Sequence, residues 1–86
     1  MTADATEQRM RERLATLHPS LLTIRDDSRH HAGHAGSNGG GHYHLTIVAE
    51  AFRGHSTLAR HRMVHEALGN LLQQEIHALA IKAGTP

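Results

Sequence analysis

From Tyr43 to Ala83 the chain passes through an alternating run, a helical stripe and a second alternating run, and this series constrains the fold more than any other feature. In YHLTIVAEAF, Leu45, Ile47 and Ala49 share one face at a period of two, the mark of a strand. From roughly Thr57 to Gln74, Val64, Leu68, Leu71 and Leu72 recur at helical spacing, and Met63 and Ala67 widen the stripe. Arg53-Gly54 turns the chain before the helix, and Ser56 is its expected N-cap. IHALAIKA alternates again through Leu79 and Ile81. A strand–helix–strand series of this kind is a crossover, almost always right-handed, and it makes its two strands parallel.

The first half supplies the rest of the layer. LLTIRDDS alternates Leu22 and Ile24 with Thr23 and Arg25, and the turn formers Asp26, Asp27 and Ser28 close that strand. Met10, Leu14 and Leu17 stand at i, i+4, i+7 among charged neighbours, an amphipathic helix that His18-Pro19 ends. The expected class is α+β: one domain over 1–86 of order α-β-β-α-β, two helices on one face of a three-stranded mixed sheet. The first two strands form an antiparallel hairpin across a long connection, and residues 29–42 are expected to be an irregular, flexible loop. In this topology the last strand begins at the end of the sheet where the first strand ends and the second begins.

That connection, RHHAGHAGSNGGGHYH over 29–44, holds five of the ten histidines and five of the eight glycines. Imidazole is the commonest metal ligand among side chains, and His31 and His34 flank Ala32-Gly33 at a spacing that can converge on one ion. The plainer reading is solvated loop residues. His77, beside the apolar last strand, is by itself either a ligand or a histidine hydrogen-bonded at an element end. The third cluster is ARHRMVH, in which Arg60, His61, Arg62 and His65 crowd the start of the second helix, and no acidic residue stands between Arg53 and His65. Such a helix can grip phosphates or be a solvated basic face.

Composition narrows the function classes. There are no cysteines, so no disulfide, thiol nucleophile or thiolate ligand comes from this chain. Nine Lys+Arg against eight Asp+Glu is not the strongly basic balance of a nucleic-acid binder. The first residues are charged and lack an apolar run, and no stretch approaches a membrane span, so a soluble cytoplasmic protein is expected. Enzyme signals are missing: the serines lack a nucleophile elbow, SNGGG lacks a phosphate-loop lysine, and adjacent Asp26 and Asp27 point to opposite faces of a strand.

The ordered set Asp27-Ser28, His31-Ala32-Gly33-His34, His42, Ile47-Val48, Phe52, Gly54, Ser56, Arg60-His61-Arg62, Val64, His77-Ala78-Leu79 and Thr85-Pro86 resembles the BolA family, and the resemblance covers nearly the whole chain. It implies a fold like the class II KH domain. It implies a non-enzymatic partner that forms a heterodimer with a monothiol glutaredoxin, the pair holding a 2Fe–2S cluster for storage, transfer or iron sensing. It also implies a rival activity, DNA-binding transcription regulation, for which Arg53, Arg60 and Arg62 are the candidates. The implied iron ligands on this chain are His31 and His77, with His34 and then His30 as alternative loop ligands, while a glutaredoxin cysteine and a glutathione thiolate come from the partner side. Lacking a loop cysteine, the chain falls in the histidine-type group. Without its partner it is expected to be a monomer, with at most a weak homodimer. A free-standing zinc or copper protein is a third reading, which uses His77 only if the fold carries it to the loop.

Overall fold

The computed structural model describes residues 5–27 and 41–86. Their elements are α1 (Ala5–Leu14), β1 (Leu21–Asp26), β2 (Gly41–Val48), α2 (Thr57–Leu68), the single-turn α3 (Leu71–Gln74) and β3 (Ile76–Gly84), with 3-10 turns at Ala15–Leu17 and Glu50–Phe52. The sheet order is β1-β2-β3. β1 pairs with β2 antiparallel, from Leu21↔Val48 to Asp26↔Tyr43, and β3 pairs with β2 parallel. This is the expected α+β arrangement with a three-stranded mixed sheet.

Side-chain alternation decides which face of the sheet is covered. Ile24, Tyr43, Leu45 and Ile47 are buried with Met10 and Leu14 of α1 and Val64 and Leu68 of α2. Phe52, held in the 3-10 turn after β2, is the largest wholly buried side chain. The other face carries Thr23, Arg25, His44 and Lys82 into solvent, and Leu21 there is 50% exposed. Among the described residues no helix is long and apolar enough to cross a membrane.

Three boundaries differ from the sequence reading, each for a local reason. The amphipathic N-terminal segment tightens into a 3-10 turn after Leu14, and His18 closes it in the left-handed region (φ 53°), its N–H donating to Ala15 O at 3.0 Å. The long second helix is two helices. Gly69 takes φ 59° and donates to His65 O at 2.9 Å, while the Arg13 guanidinium of α1 donates to Leu68 O at 2.8 Å, so a carbonyl that helix continuation would have used is satisfied from elsewhere. At its other end α2 starts as expected, with Ser56 Oγ accepting from Ala59 N at 3.1 Å. Finally, β2 begins at Gly41, two residues earlier than the alternation indicated. Glycine and histidine carry no strand signal, and their backbones are recruited by neighbours: Gly41 N donates to Glu75 O (3.1 Å) and Asp27 N to His42 O (2.7 Å).

Candidate metal centre

His77 owes its position to a mismatch between two strands. From His42↔Ala78 to Val48↔Gly84 the parallel register is regular, but Gly41 faces Ile76, so β3 carries one extra residue there, and that residue is His77. A one-residue shift of this kind takes a residue out of the ladder and re-aims its side chain. The result is visible in burial: Ile76 is buried and Leu79 half-buried, while His77 and Ala78 are exposed in succession. The imidazole of His77 lies against that of His42 on β2, with ring centroids 5.0 Å apart and planes tilted by 38°.

The surrounding backbone fixes this end of the sheet. Asp27, Gly41, His42 and Glu75 are tied by the two hydrogen bonds above, so both ends of the 28–40 connection are anchored beside His77. Glu75, two residues before His77, accepts from Thr6 Oγ1 at 2.8 Å and from Arg9 Nε at 3.0 Å, both on α1. The Arg9 hydrogen bond first, and the Thr6 hydroxyl next, hold the Glu75 carboxyl below the usual carboxylate range. On the open face, the Asp27 carboxylate takes His44 Nε2 at 2.6 Å and Arg25 Nε at 3.3 Å. Asp27 and His44 border a shallow cavity of about 260 Å³, lined also by His42, Ala78 and Ala80.

The sequence-derived candidates therefore divide. His77 is at the expected end of the sheet. His30, His31 and His34 lie outside the described residues. Sequence reasoning gave His42 no role, yet it is the imidazole that meets His77. One faint signal of the register shift is legible: in IHALAIKAG the inward residues fall at 76, 79, 81 and 83, and the single gap of three marks an inserted residue. Among the described residues no group of three or more His, Asp or Glu side chains is placed to hold an ion. The imidazoles described at this sheet end, His42 and His77, are too few for a closed four-ligand structural site.

The arginine candidates are differently committed. Arg60 is part-buried and donates to Phe52 O (3.1 Å) and Ala83 O (3.3 Å), which fastens α2 to the turn before it and to the end of β3. Arg53 is hydrogen-bonded to the Glu50 carboxylate and reaches Pro86 O at 3.3 Å. That bond holds the Glu50 carboxyl below its ordinary value and raises Arg53. Arg62 is exposed on α2.

Comparison with known proteins agrees with this architecture. The family described as BolA-like protein matches residues 14–86. The chain is 47% identical over 70 residues to BolA-like protein 1 of Mus musculus, covering 81% of this chain and 50% of that protein. It is 35% identical over 79 residues to the DNA-binding transcriptional regulator BolA of Escherichia coli (strain K12), covering 91% and 73%. The BolA domain of SufE1 from Arabidopsis thaliana superimposes with a TM-score of 0.85 at 40% identity, covering 99% of this chain and 96% of that one. The chain spans half or less of the length of several curated relatives that it matches. Fold, sheet register and the match over 14–86 lead to one conclusion: the chain belongs to the BolA-like family.

Proposed function

We propose that this chain is a non-enzymatic iron–sulfur partner protein that forms a 2Fe–2S-bridged heterodimer with a monothiol glutaredoxin and acts in cluster storage, transfer or iron sensing. The observation that carries the reading is His77, lifted out of the β3 ladder at the sheet end where both anchors of the histidine-rich connection converge. In this reading His77 is the fixed ligand and His31 the loop ligand, with His34 or His30 as substitutes, and a cysteine and glutathione thiolate complete the set from the partner. Two histidines in place of two cysteines on one iron raise the cluster potential relative to an all-thiolate site. The chain's own contribution is positional. The register shift aims His77, Glu75 and its α1 partners hold the segment before it, and the two anchors keep the ends of the connection at the site.

Anaerobic mixing with a monothiol glutaredoxin, glutathione, iron and sulfide, followed by visible absorption, tests this. A cluster spectrum is expected in the heterodimer, altered by His77→Ala and by the triple change of His30, His31 and His34 to Ala. A spectrum unchanged by all four substitutions together excludes this chain as an iron ligand.

A second reading, DNA-binding transcription regulation, is supported by the name of the bacterial relative and by the exposure of Arg62. With Arg60 part-buried against Phe52 O and Ala83 O and Arg53 paired with Glu50 at the surface, Arg62 is left as the main phosphate contact. Binding of this kind weakens steeply with salt because phosphates release counterions. Salt-independent binding, or none at low salt, removes this reading.

A further inference from the structure

The contact between His42 and His77 is unexplained by any reading in which His77 acts only with the loop. The two residues sit on neighbouring strands, and the same register shift that expels His77 from the ladder carries its ring to His42. A centroid separation of 5.0 Å falls in the ordinary range for aromatic pairs. It also matches a second requirement. With a metal–nitrogen bond of about 2.1 Å and a ring centroid about 1.1 Å behind the ligating nitrogen, two imidazoles at a tetrahedral angle on one ion stand about 5 Å apart. The fold thus brings the imidazoles of His42 and His77, both on described strands, to a separation that chelation requires. Neighbouring positions on β3 are Ala78 and Ala80, and they leave the open cavity against which His42 lies. The nearby Asp27 carboxylate is engaged with His44 and Arg25, so the site is a two-imidazole one.

We propose that His42 and His77 form a loop-independent chelate for a single divalent ion of the class that imidazole suits, such as zinc, copper or nickel, with its remaining positions open to water or to a partner's ligand. The site shares His77 with the proposed cluster function but does not depend on it, because it belongs to the chain alone. A partner that supplies thiolates would meet a position already nitrogen-ligated, and mononuclear ion and cluster would compete for His77.

The test uses the full chain without glutaredoxin. His30, His31 and His34 are replaced by alanine, and His61 and His65, an i, i+4 pair able to chelate by themselves, are replaced by glutamine. Zinc chloride is then titrated while the imidazole resonances of His42 and His77 are followed by NMR. Both rings are expected to shift together and saturate at one equivalent. His42→Phe is the critical variant, since it keeps a ring packed on His77 and removes the nitrogen donors. It should weaken binding by about tenfold or more, a loss no smaller than that seen for outer-shell partners of metal ligands. Zinc binding at that equivalent that persists unchanged in His42→Phe, or a titration in which the His42 and His77 resonances do not move, overturns the chelate. Loss of the cluster spectrum in the heterodimer experiment with zinc binding retained would instead count against the glutaredoxin reading alone.

Discussion

Single side chains do unlike work in this fold, and the local geometry says which. Gly69 ends α2 with φ 59°, and a Cβ there would stand 3.3 Å from Arg13 Nη1, the group that caps Leu68 O. Gly69→Ala therefore meets both the left-handed backbone penalty and a crowded cap, and should destabilise by about 1–2 kcal/mol in urea denaturation. Glu50 and Arg53 pose a question of pH. The Glu50 carboxyl lies below its ordinary value because of Arg53, so whatever the pair contributes is present above the usual carboxylate range and disappears as pH falls through the lowered value. Both groups are exposed, so stability changes little. The effect falls on Arg53, which is released. If the DNA reading holds, Glu50→Gln should tighten nonspecific DNA binding at low salt, measured by fluorescence anisotropy.

At the scale of elements, the same patterns explain what the sequence disclosed and what it hid. Leu45, Ile47 and Ala49, or Val64 and Leu68, are legible because burial on one face imposes a period on apolar residues, and the fold class follows from two such periods in series. The break between α2 and α3 was hidden because the apolar stripe runs on through Leu71 and Leu72, and the interruption comes from Arg13, fifty-five residues upstream of the carbonyl it caps. Of the candidate site, the sheet end bearing His77 was legible from topology. Its pairing with His42 was not, because ring contacts across strands depend on register, and register shifted by one residue here. The fastening role of Arg60 was hidden for the same kind of reason: its partners are two distant carbonyls, Phe52 O and Ala83 O, which no spacing rule reveals. The shift itself yields a sharp prediction. Deleting His77 leaves Gly41↔Ile76 and His42↔Ala78 as consecutive pairs, so the ladder becomes regular. The variant should fold with stability within about 0.5 kcal/mol of the parent, the scale of a change that leaves core and caps intact. Contacts between Tyr43 and Leu79 in NOE spectra should persist, while the imidazole pair is lost.

For the whole molecule, α1 is the test of what counts as the folding unit. The family match begins at residue 14, yet Met10 is wholly buried in the shared core, Arg13 caps α2, and Thr6 and Arg9 hold Glu75. Met10→Ala should cost about 2–5 kcal/mol by the transfer and cavity terms. Domain stability is commonly only about 5–15 kcal/mol, so a fragment starting at residue 14, which lacks Met10 and all three tethers, should show no cooperative thermal transition by circular dichroism.

The register shift also sets an order of events. The geometry that joins His42 to His77 exists in neither strand alone, since it is a difference between how many residues β2 and β3 use to cover the same distance. β3 is the last of the three strands along the sequence. During synthesis the helix α1 and the β1–β2 hairpin have the sequence they need long before β3 leaves the ribosome, and a domain folds as a unit once its last segment is available. Until then the histidines of β2 are isolated side chains with no fixed neighbour on β3. A chain in which β3 is missing or undocked is thereby blind to any ion that needs both rings, and ion capture at this pair would report that the sheet is closed.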